Sequence, residues 1–237
     1  MEFRTIVDIN DPGFRIEPCE EMLFVGSCFA DNIGARFKEE KFRATVNPFG
    51  VMYNPASILH TVERLAQSEP SKLGSLRTAF FTLGTNHIYR LKETGEIVDN
   101  CQKRPQSLFT EEELTVDECA DYLQRAIDIL RQHHPDVRVV LTVSPIRYRK
   151  YGYHGSQLSK ATLLLAVQRM INNCQLSIIN YLISPPTKSS TMSCAIIVSM
   201  PRICSTPHRR LWNTSGSDSL RFISAMLPSS SSKSGNP

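Results

Sequence analysis

Long hydrophobic runs are missing from this sequence of 237 residues. No segment approaches the roughly 20 apolar residues that a membrane-spanning helix needs. The first residues, Met1-Glu2-Phe3-Arg4, lack the apolar stretch of a secretory signal peptide. We therefore expect a cytoplasmic protein that has no membrane partner.

Metal and cofactor motifs are also scarce. The six histidines and seven cysteines form no cluster with metal-ligand spacing, and no glycine-rich loop resembles those that cradle phosphate groups. The sequence predicts no metal and no cofactor. Its net charge of +4 is mild and predicts no nucleic-acid partner. The basic and aromatic segment at residues 147–151 is interpreted as a solvated loop rather than as a site for phosphate or a glycan.

Acidic residues are almost absent from the C-terminal part. The first 170 residues hold 22 of the 23 acidic residues, and after about Leu182 only Asp218 remains among many Ser, Pro, Thr and Arg. This change divides the chain into a domain at residues 1–181 and a tail at residues 182–237, which is predicted to be disordered. One explanation is a natural disordered tail. The other is a reading frame that shifts near Ile178 to Ile183.

Apolar runs of strand length alternate with helical patterns in the first part. This alternation predicts an α/β fold, a three-layer sandwich with a mostly parallel sheet that is incomplete at the C-terminus. The predicted strands are Met22 to Val25, Ala79 to Leu83, Arg138 to Val143 and Ile178 to Tyr181. The predicted helices are Asp31 to Glu40, Pro55 to Ala66, and one that follows a capping box at Thr115 and Glu118 and ends before Pro135. A hairpin is predicted from His87 to Asp99, around Thr94-Gly95.

The most informative segment is residues 22–30, Met-Leu-Phe-Val-Gly-Ser-Cys-Phe-Ala. An apolar run ends in Gly26-Ser27 and passes directly into a helical pattern, as at the nucleophile turn of an α/β hydrolase. Ser27 is therefore a candidate nucleophile. The alternative is that Ser27 only caps the helix, because serine is a favoured N-cap residue. Cys28 could also act as a nucleophile beside a helix N-terminus, but we expect it to point inward and pack.

Several motifs in order resemble the GSCFA family, which is related to the SGNH (GDSL-like) hydrolases. The resemblance covers roughly Phe3 to Tyr181. Its motifs are Gly26-Ser27-Cys28-Phe29-Ala30, Asn47-Pro48-Phe49-Gly50, Tyr53-Asn54-Pro55, Leu83-Gly84-Thr85, Asn100-Cys101, Val143-Ser144-Pro145 and Gln157-Leu158-Ser159-Lys160.

The resemblance implies a serine-dependent hydrolase of carboxylic or acyl-carbohydrate esters. Ser27 would attack the ester carbonyl, and the oxyanion would receive hydrogen bonds from the Ser27 N–H, the Gly50 N–H and the Asn86 side chain. A tight turn is the alternative explanation for Gly50, and a turn at a strand end is the alternative for Asn86. The expected partner is a small-molecule or carbohydrate ester, and the sequence does not indicate an oligomeric state.

The acid–base pair that the resemblance requires, an Asp-x-x-His-Pro motif, is not translated in this chain. Codons that start at the third base over residues 183–216 permit strings that resemble the C-terminal half of the family, including Asp-Met-Leu-His-Pro at Val198 to Pro207. His208 has no aspartate three residues earlier, and surface or hydrogen-bonded roles are expected for His87 and His154. The chain is therefore predicted to lack its catalytic base. An acyltransferase acting on carbohydrate and a non-catalytic ligand-binding module are the alternative functions.

Overall fold

The computed structural model describes residues 14–99, 101, 104–144, 146–174, 177–181 and 196–199. Its centre is a parallel sheet of four strands in the order β2-β1-β3-β7, and the carboxyl ends of all four strands lie at one edge. These strands are β1 (Glu21–Gly26), β2 (Arg43–Val46), β3 (Leu76–Leu83) and β7 (Arg138–Val143). β1, β3 and β7 are buried along nearly their whole length, which explains their continuous apolar sequences.

Helices cover both faces of this sheet. They are α1 (Cys28–Glu39), α2 (Pro55–Ser68), α3 (Pro70–Ser75), α4 (Val116–His133) and α5 (Gly152–Cys174). α1 packs on one face over an aromatic cluster, in which the rings of Phe24 and Phe80 are stacked at 4.4 Å. α2, α4 and α5 pack on the other face over a larger, mainly aliphatic core. The three-layer α/β prediction is confirmed.

A small antiparallel sheet interrupts the alternation. It has the order β5-β4-β6 and contains β4 (His87–Leu91), β5 (Ile97–Val98) and β6 (Phe109–Glu113). The predicted hairpin is therefore confirmed, whereas β6 was not predicted. Short 3-10 turns lie at Gln106–Leu108 and Arg149–Tyr151.

Most predicted elements of the first part have the expected positions. The Thr115 capping box is present, with both reciprocal hydrogen bonds, and α4 ends at His133. α1 starts three residues before the predicted helix because Ser27 already caps it. The last predicted strand exists as β8 (Ser177–Tyr181), but it pairs antiparallel with β9 (Ile196–Ser199) and not within the parallel sheet.

β9 belongs to the segment that we predict to be a disordered tail. Residues 182–195 and 200–237, which make up the rest of that segment, lie outside the described residues. The division into a domain and a tail stays a prediction.

Candidate functional site

The β1–α1 turn lies where the sheet connections diverge. The chain leaves β1 towards α1 on one face, whereas it leaves β3 towards the small sheet and α4, whose helix covers the other face. A crevice opens at such a switch point at the carboxyl ends of parallel strands, and it is the usual ligand site of open α/β sheets. The Gly26-Ser27-Cys28 turn therefore lies at the position where open α/β sheets usually bind their ligands.

Ser27 is the N-cap of α1, and its side chain is inside the protein. Its Oγ accepts a hydrogen bond from the Phe29 N–H at 3.3 Å and lies 3.1 Å from Thr82 Oγ1. Its own N–H donates to Thr82 Oγ1 at 2.8 Å and to the Thr82 carbonyl at 3.0 Å. With 3% of its surface exposed, Ser27 shows the capping geometry that is the alternative to nucleophilic attack.

Gly26 is required by its contact with the neighbouring strand. Its φ is +144°, and a Cβ at this position would collide with the Thr82 backbone and hydroxyl. The missing side chain thus lets β1 and β3 approach each other inside the sheet. It does not open space for a substrate.

The turn at residues 47–50 braces the β1–α1 turn. Asn47 Oδ1 accepts from the Gly26 N–H at 2.8 Å, and Asn47 Nδ2 donates to Asp31 Oδ1 at 2.7 Å. Asn47 itself has a φ of +39°, which asparagine tolerates better than most residues. Its side chain ties the end of β1 to the first turn of α1.

Gly50 closes this tight turn. Its φ is +96°, and its N–H donates to the Asn47 carbonyl at 2.9 Å. A backbone N–H carries one hydrogen, and here that hydrogen is used within the turn. The geometry is that of the turn explanation, and an oxyanion contact from Gly50 stays a prediction.

Asn86 is 2% exposed and lies at the junction between the two sheets. Its Nδ2 donates to the Leu114 carbonyl at 2.8 Å, and its N–H donates to Ser159 Oγ at 3.1 Å. Asn86 Oδ1 is buried and has no hydrogen-bond partner among the described residues. These contacts hold β4 against β6 and α5, while the predicted role in an oxyanion hole stays a prediction.

Gly84 directly follows β3 and lies against two tyrosines. Its N–H donates to the Tyr53 carbonyl at 2.8 Å. A Cβ here would lie 2.7 Å from the Tyr148 hydroxyl and 3.0 Å from Tyr53 Cδ1. The Lys160 ammonium donates to the Gly84 carbonyl and lies 5.0 Å from the centre of the Tyr148 ring. Sequence reasoning missed Tyr148 and Lys160 as site residues, because their partner Gly84 is more than 60 positions away in the chain.

Cys28 is exposed, so the expectation that its side chain packs inward is wrong. The inward position of the turn is taken by Ser27, whose hydroxyl has polar partners there. Tyr53 approaches this turn, because the N–H of the preceding residue, Met52, donates to the Gly26 carbonyl at 2.8 Å. Burial raises the pKa of the Tyr148 phenol to about 12, and the charges of Tyr53 and Cys28 contribute. Burial, Cys28 and Asp31 also raise the pKa of Tyr53.

The two described candidate histidines, His87 and His154, have different environments. His87 is stacked on Tyr151 with the ring centres 3.8 Å apart, and its Nδ1 is 3.5 Å from Glu111 Oε1. His154 is exposed on the first turn of α5. The exposed position of His154 agrees with the surface role expected for it. The expectation of a surface or hydrogen-bonded role is wrong for His87, because its side chain is buried and its Nδ1 has no hydrogen-bond partner among the described residues. His208 lies outside the described residues. Among the described residues, no aspartate lies three positions before a histidine, so none of them forms the Asp-x-x-His pair.

The segment at residues 147–151 is a loop that ends in a 3-10 turn, as expected, but part of it turns inward. Tyr148 lies over Gly84, and Lys150 donates to Glu111 at 2.6 Å. Arg147 and Arg149 remain exposed. The basic and aromatic composition therefore combines two anchoring tyrosines and one ion pair with two solvated arginines.

Two comparisons with known proteins bear on this arrangement. The family model described as "GSCFA family" matches residues 21–76 and 67–182. This chain belongs to the GSCFA family. No curated protein matches the chain.

The GSCFA motifs converge at the carboxyl edge of the sheet. The Asn47 turn supports the Gly26-Ser27-Cys28 turn, and the Tyr53 carbonyl accepts from Gly84. Ser159 Oγ lies 3.1 Å from Thr85 Oγ1, next to the contact of Lys160 with Gly84. Motifs far apart in the sequence therefore form one structural unit.

Within the described residues, no group of three or more His, Cys, Asp or Glu side chains is arranged to hold a metal ion. Among the helices of the same residues, none has the length and hydrophobicity required to cross a bilayer.

Proposed function

We propose that the domain at residues 1–181 is built for acyl-ester hydrolysis, with the nucleophile on the β1–α1 turn. The observation that carries this proposal is the position of the turn. It follows a buried parallel strand, begins a helix of 12 residues and lies at the switch point of the sheet. Amides at a helix N-terminus favour negative charge, such as the charge that develops on a carbonyl oxygen during attack.

The chain as translated is poorly equipped for turnover. A nucleophile of this kind needs a base that removes its proton and later activates water. The part of the chain that the structure describes places no histidine against Ser27 or Cys28. Our interpretation is that the reading frame shifts near Ile178 to Ile183, which removes the Asp-x-x-His-Pro motif. The family match ends at residue 182.

Resequencing the gene across the codons for Asn172 to Pro207 tests the frameshift directly. An inserted or deleted base that restores Asp-Met-Leu-His-Pro is the expected result. An unchanged sequence would contradict the frameshift and leave the chain without its acid–base pair.

The activity is tested by comparing this chain with the frame-restored protein on acetyl and longer acyl esters. We expect the restored protein to be faster by several orders of magnitude, because losing the base of such a triad has an effect of that size. A variant of the restored protein that carries both Ser27→Ala and Cys28→Ala should lose this gain. Absence of ester cleavage in the restored protein would contradict the proposal. Transfer of the acyl group to an added sugar, detected as acylated sugar, would identify an acyltransferase.

A further inference from the structure

The two side chains of the turn that carry a nucleophilic atom have opposite environments. Ser27 Oγ is buried, caps α1 and lies against Thr82 Oγ1, so it is engaged on the side of the protein interior. The thiol of Cys28 belongs to an exposed residue at the first position of α1. A substrate can therefore reach Cys28 from solvent without breaking the contacts that hold the turn.

The Cys28 turn is next to two tyrosines from other segments, and together they form a cluster. Tyr53 follows Met52, whose N–H donates to the Gly26 carbonyl of the turn at 2.8 Å, and the Tyr53 carbonyl accepts from the Gly84 N–H at 2.8 Å. In agreement with this placement, Cys28 contributes to the raised pKa of both Tyr53 and Tyr148. The Tyr53 and Tyr148 rings meet edge to face, with their centres 6.3 Å apart. The cluster combines a group that can attack with groups that can donate hydrogen bonds, at the crevice edge of a sheet.

The Tyr148 hydroxyl has the properties of a donor held for a ligand. It lies over Gly84, where no side chain would fit, and the hydrogen bonds of Tyr148 with Ser156 use its backbone N–H and carbonyl instead. Lys160 holds this arrangement, because its ammonium binds the Gly84 carbonyl beneath the hydroxyl and faces the Tyr148 ring. A phenol that stays protonated at neutral pH can donate to an oxygen on which negative charge develops.

We propose that the thiol of Cys28, and not the hydroxyl of Ser27, attacks the ester carbonyl, and that the Tyr148 hydroxyl donates a hydrogen bond to the carbonyl oxygen. This inference rests on the proposed function. The sulfur forms a bond to the acyl carbon, the bond from that carbon to the alcohol oxygen breaks, and the thiol proton leaves with the alcohol. Water then cleaves the thioester, which releases the acid and returns the proton to sulfur.

Acyl trapping on the full chain tests this assignment. The chain is treated with p-nitrophenyl acetate, p-nitrophenol release is followed, and the acetylated residue is located by peptide mass spectrometry. We expect one acetyl group on Cys28 that neutral hydroxylamine removes, because a thioester is cleaved under conditions in which a serine ester is stable. Cys28→Ser should lose the hydroxylamine-sensitive product, whereas Ser27→Ala should retain it.

Cys19 provides a matched control, because it is another exposed thiol, in the turn before β1 and at the opposite edge of the sheet. We expect Cys28 to be acetylated at least about tenfold faster than Cys19. Equal rates would mean that the site adds nothing to ordinary thiol chemistry and would overturn the inference.

Tyr148→Phe tests the donor, with Tyr153→Phe, at an exposed tyrosine outside the cluster, as the control. Removing an oxyanion donor lowers the rate by about a hundredfold or more in established enzymes, so we expect acetylation of Cys28 to slow at least about tenfold in Tyr148→Phe. Alkylation of Cys28 by iodoacetamide creates no oxyanion and should keep its rate. Equal losses in both reactions would indicate a structural role for Tyr148 and would overturn this part of the proposal.

The outcomes separate the inference from the proposed function. Acetylation of Ser27 with release of p-nitrophenol would overturn the role of Cys28 and leave an ester hydrolase. Acetylation of neither residue, together with no ester cleavage in the frame-restored protein, would overturn both.

Discussion

Polar side chains form two neighbouring groups in this protein, and their surroundings differ. At the carboxyl edge of the parallel sheet, Cys28 is exposed, and the hydrogen bonds of Tyr148 with Ser156 use its backbone and not its hydroxyl. At the small sheet, Glu111 accepts from Lys150 at 2.6 Å and from Tyr89 at 3.0 Å. A large number of charged side chains therefore does not by itself identify a functional site. The polar atoms of the second group bind one another, whereas no hydrogen bond among the described residues uses the Tyr148 hydroxyl.

The two groups are connected through the loop that contains Tyr148. The ring of Tyr148 lies 6.0 Å from that of Tyr151, which is stacked on His87. Lys150, between these tyrosines in the chain, is bound by Glu111. We interpret the Glu111 group as a clamp that fixes the loop, so that Tyr148 stays at the crevice edge. Four predictions break or sharpen the contrast between the edge and the clamp.

Gly26→Ala should have the largest effect, because it disrupts the pairing of β1 with β3 at the carboxyl edge of the sheet. A methyl group would collide with Thr82 and force β1 away from β3, so we expect a loss of about 3 kcal/mol in the free energy of unfolding. Urea denaturation measures this loss. Gly95→Ala is the matched control: its φ is also positive, at +72°, and no atom lies within 4 Å of the added carbon. Equal losses would show that conformational strain, and not the contact with Thr82, makes Gly26 necessary.

Ser27→Ala and Cys28→Ala separate the two halves of the turn. Ser27→Ala removes an N-cap and a buried contact with Thr82, and should lower the free energy of unfolding by about 1–2 kcal/mol. Cys28→Ala changes an exposed side chain and should stay within about 0.5 kcal/mol of the unsubstituted chain. Thermal or urea unfolding of both variants measures the difference. A larger loss for Cys28→Ala would mean that the thiol has a structural role.

Glu111→Gln should weaken the clamp. Burial raises the pKa of this carboxyl group, but hydrogen bonds from Lys150, Tyr151 and Tyr89 outweigh that effect and leave the pKa below its usual value. We expect a loss of about 1 kcal/mol, reduced by partial exposure to solvent. Glu111 contributes stability above its unfolded pKa of about 4.5 and loses it as pH falls through the lower folded value.

The control for this substitution is Glu112→Gln, whose carboxylate pairs with Arg90 in an exposed bridge. If the clamp fixes Tyr148, Glu111→Gln should also slow acetylation of Cys28, while Glu112→Gln should not. Unfolding at pH 7 and at pH 4, together with p-nitrophenol release, provides both readings. If Glu111→Gln leaves the acetylation rate unchanged, the Glu111 group does not control the position of Tyr148.

His87 should give the smallest effect, seen only as a pH dependence. Burial lowers its pKa below the usual 6.5, and Lys150 adds to this, while Glu113 and Glu111 oppose it. The unfolded chain therefore binds this proton more readily, and stability should fall as pH decreases below about 6.5 towards the folded value. His87→Phe, which can keep the stacking on Tyr151, should flatten the unfolding free energy between pH 7 and 5. An unchanged slope would mean that other groups cause it.

Local patterns were sufficient for much of the architecture. The Thr115 capping box and the apolar spacing after it predicted α4, because both signals depend on residues within one or two turns. The strands β1, β3 and β7 were predicted because strands buried on both faces leave continuous apolar runs. By contrast, β2 and β6 have mixed or exposed residues and gave no such signal.

The site was only partly predictable. The turn at Gly26-Ser27-Cys28 was found because a strand, a cap and a helix are adjacent there in sequence. The environment of each side chain could not be predicted in this way. Ser27 contacts Thr82, which is 55 positions away in the sequence, and Lys160 contacts Gly84, which is 76 positions away. The Gly50 N–H is used inside its turn and the Asn86 amide binds Leu114. Residue type and spacing carry no information about such competing partners.

The sequence by itself determined the alternation of strands and helices, the GSCFA motifs and the loss of acidic residues after about Leu182, because periodicity, capping and composition are local properties. Only the tertiary structure decided which side chain of the Gly26-Ser27-Cys28 turn is buried and which is exposed. Packing β1 against β3 buries the Ser27 hydroxyl against Thr82 and leaves Cys28 exposed. Such a choice between neighbouring residues depends on contacts between distant parts of the chain, which exist only after the sheet has formed.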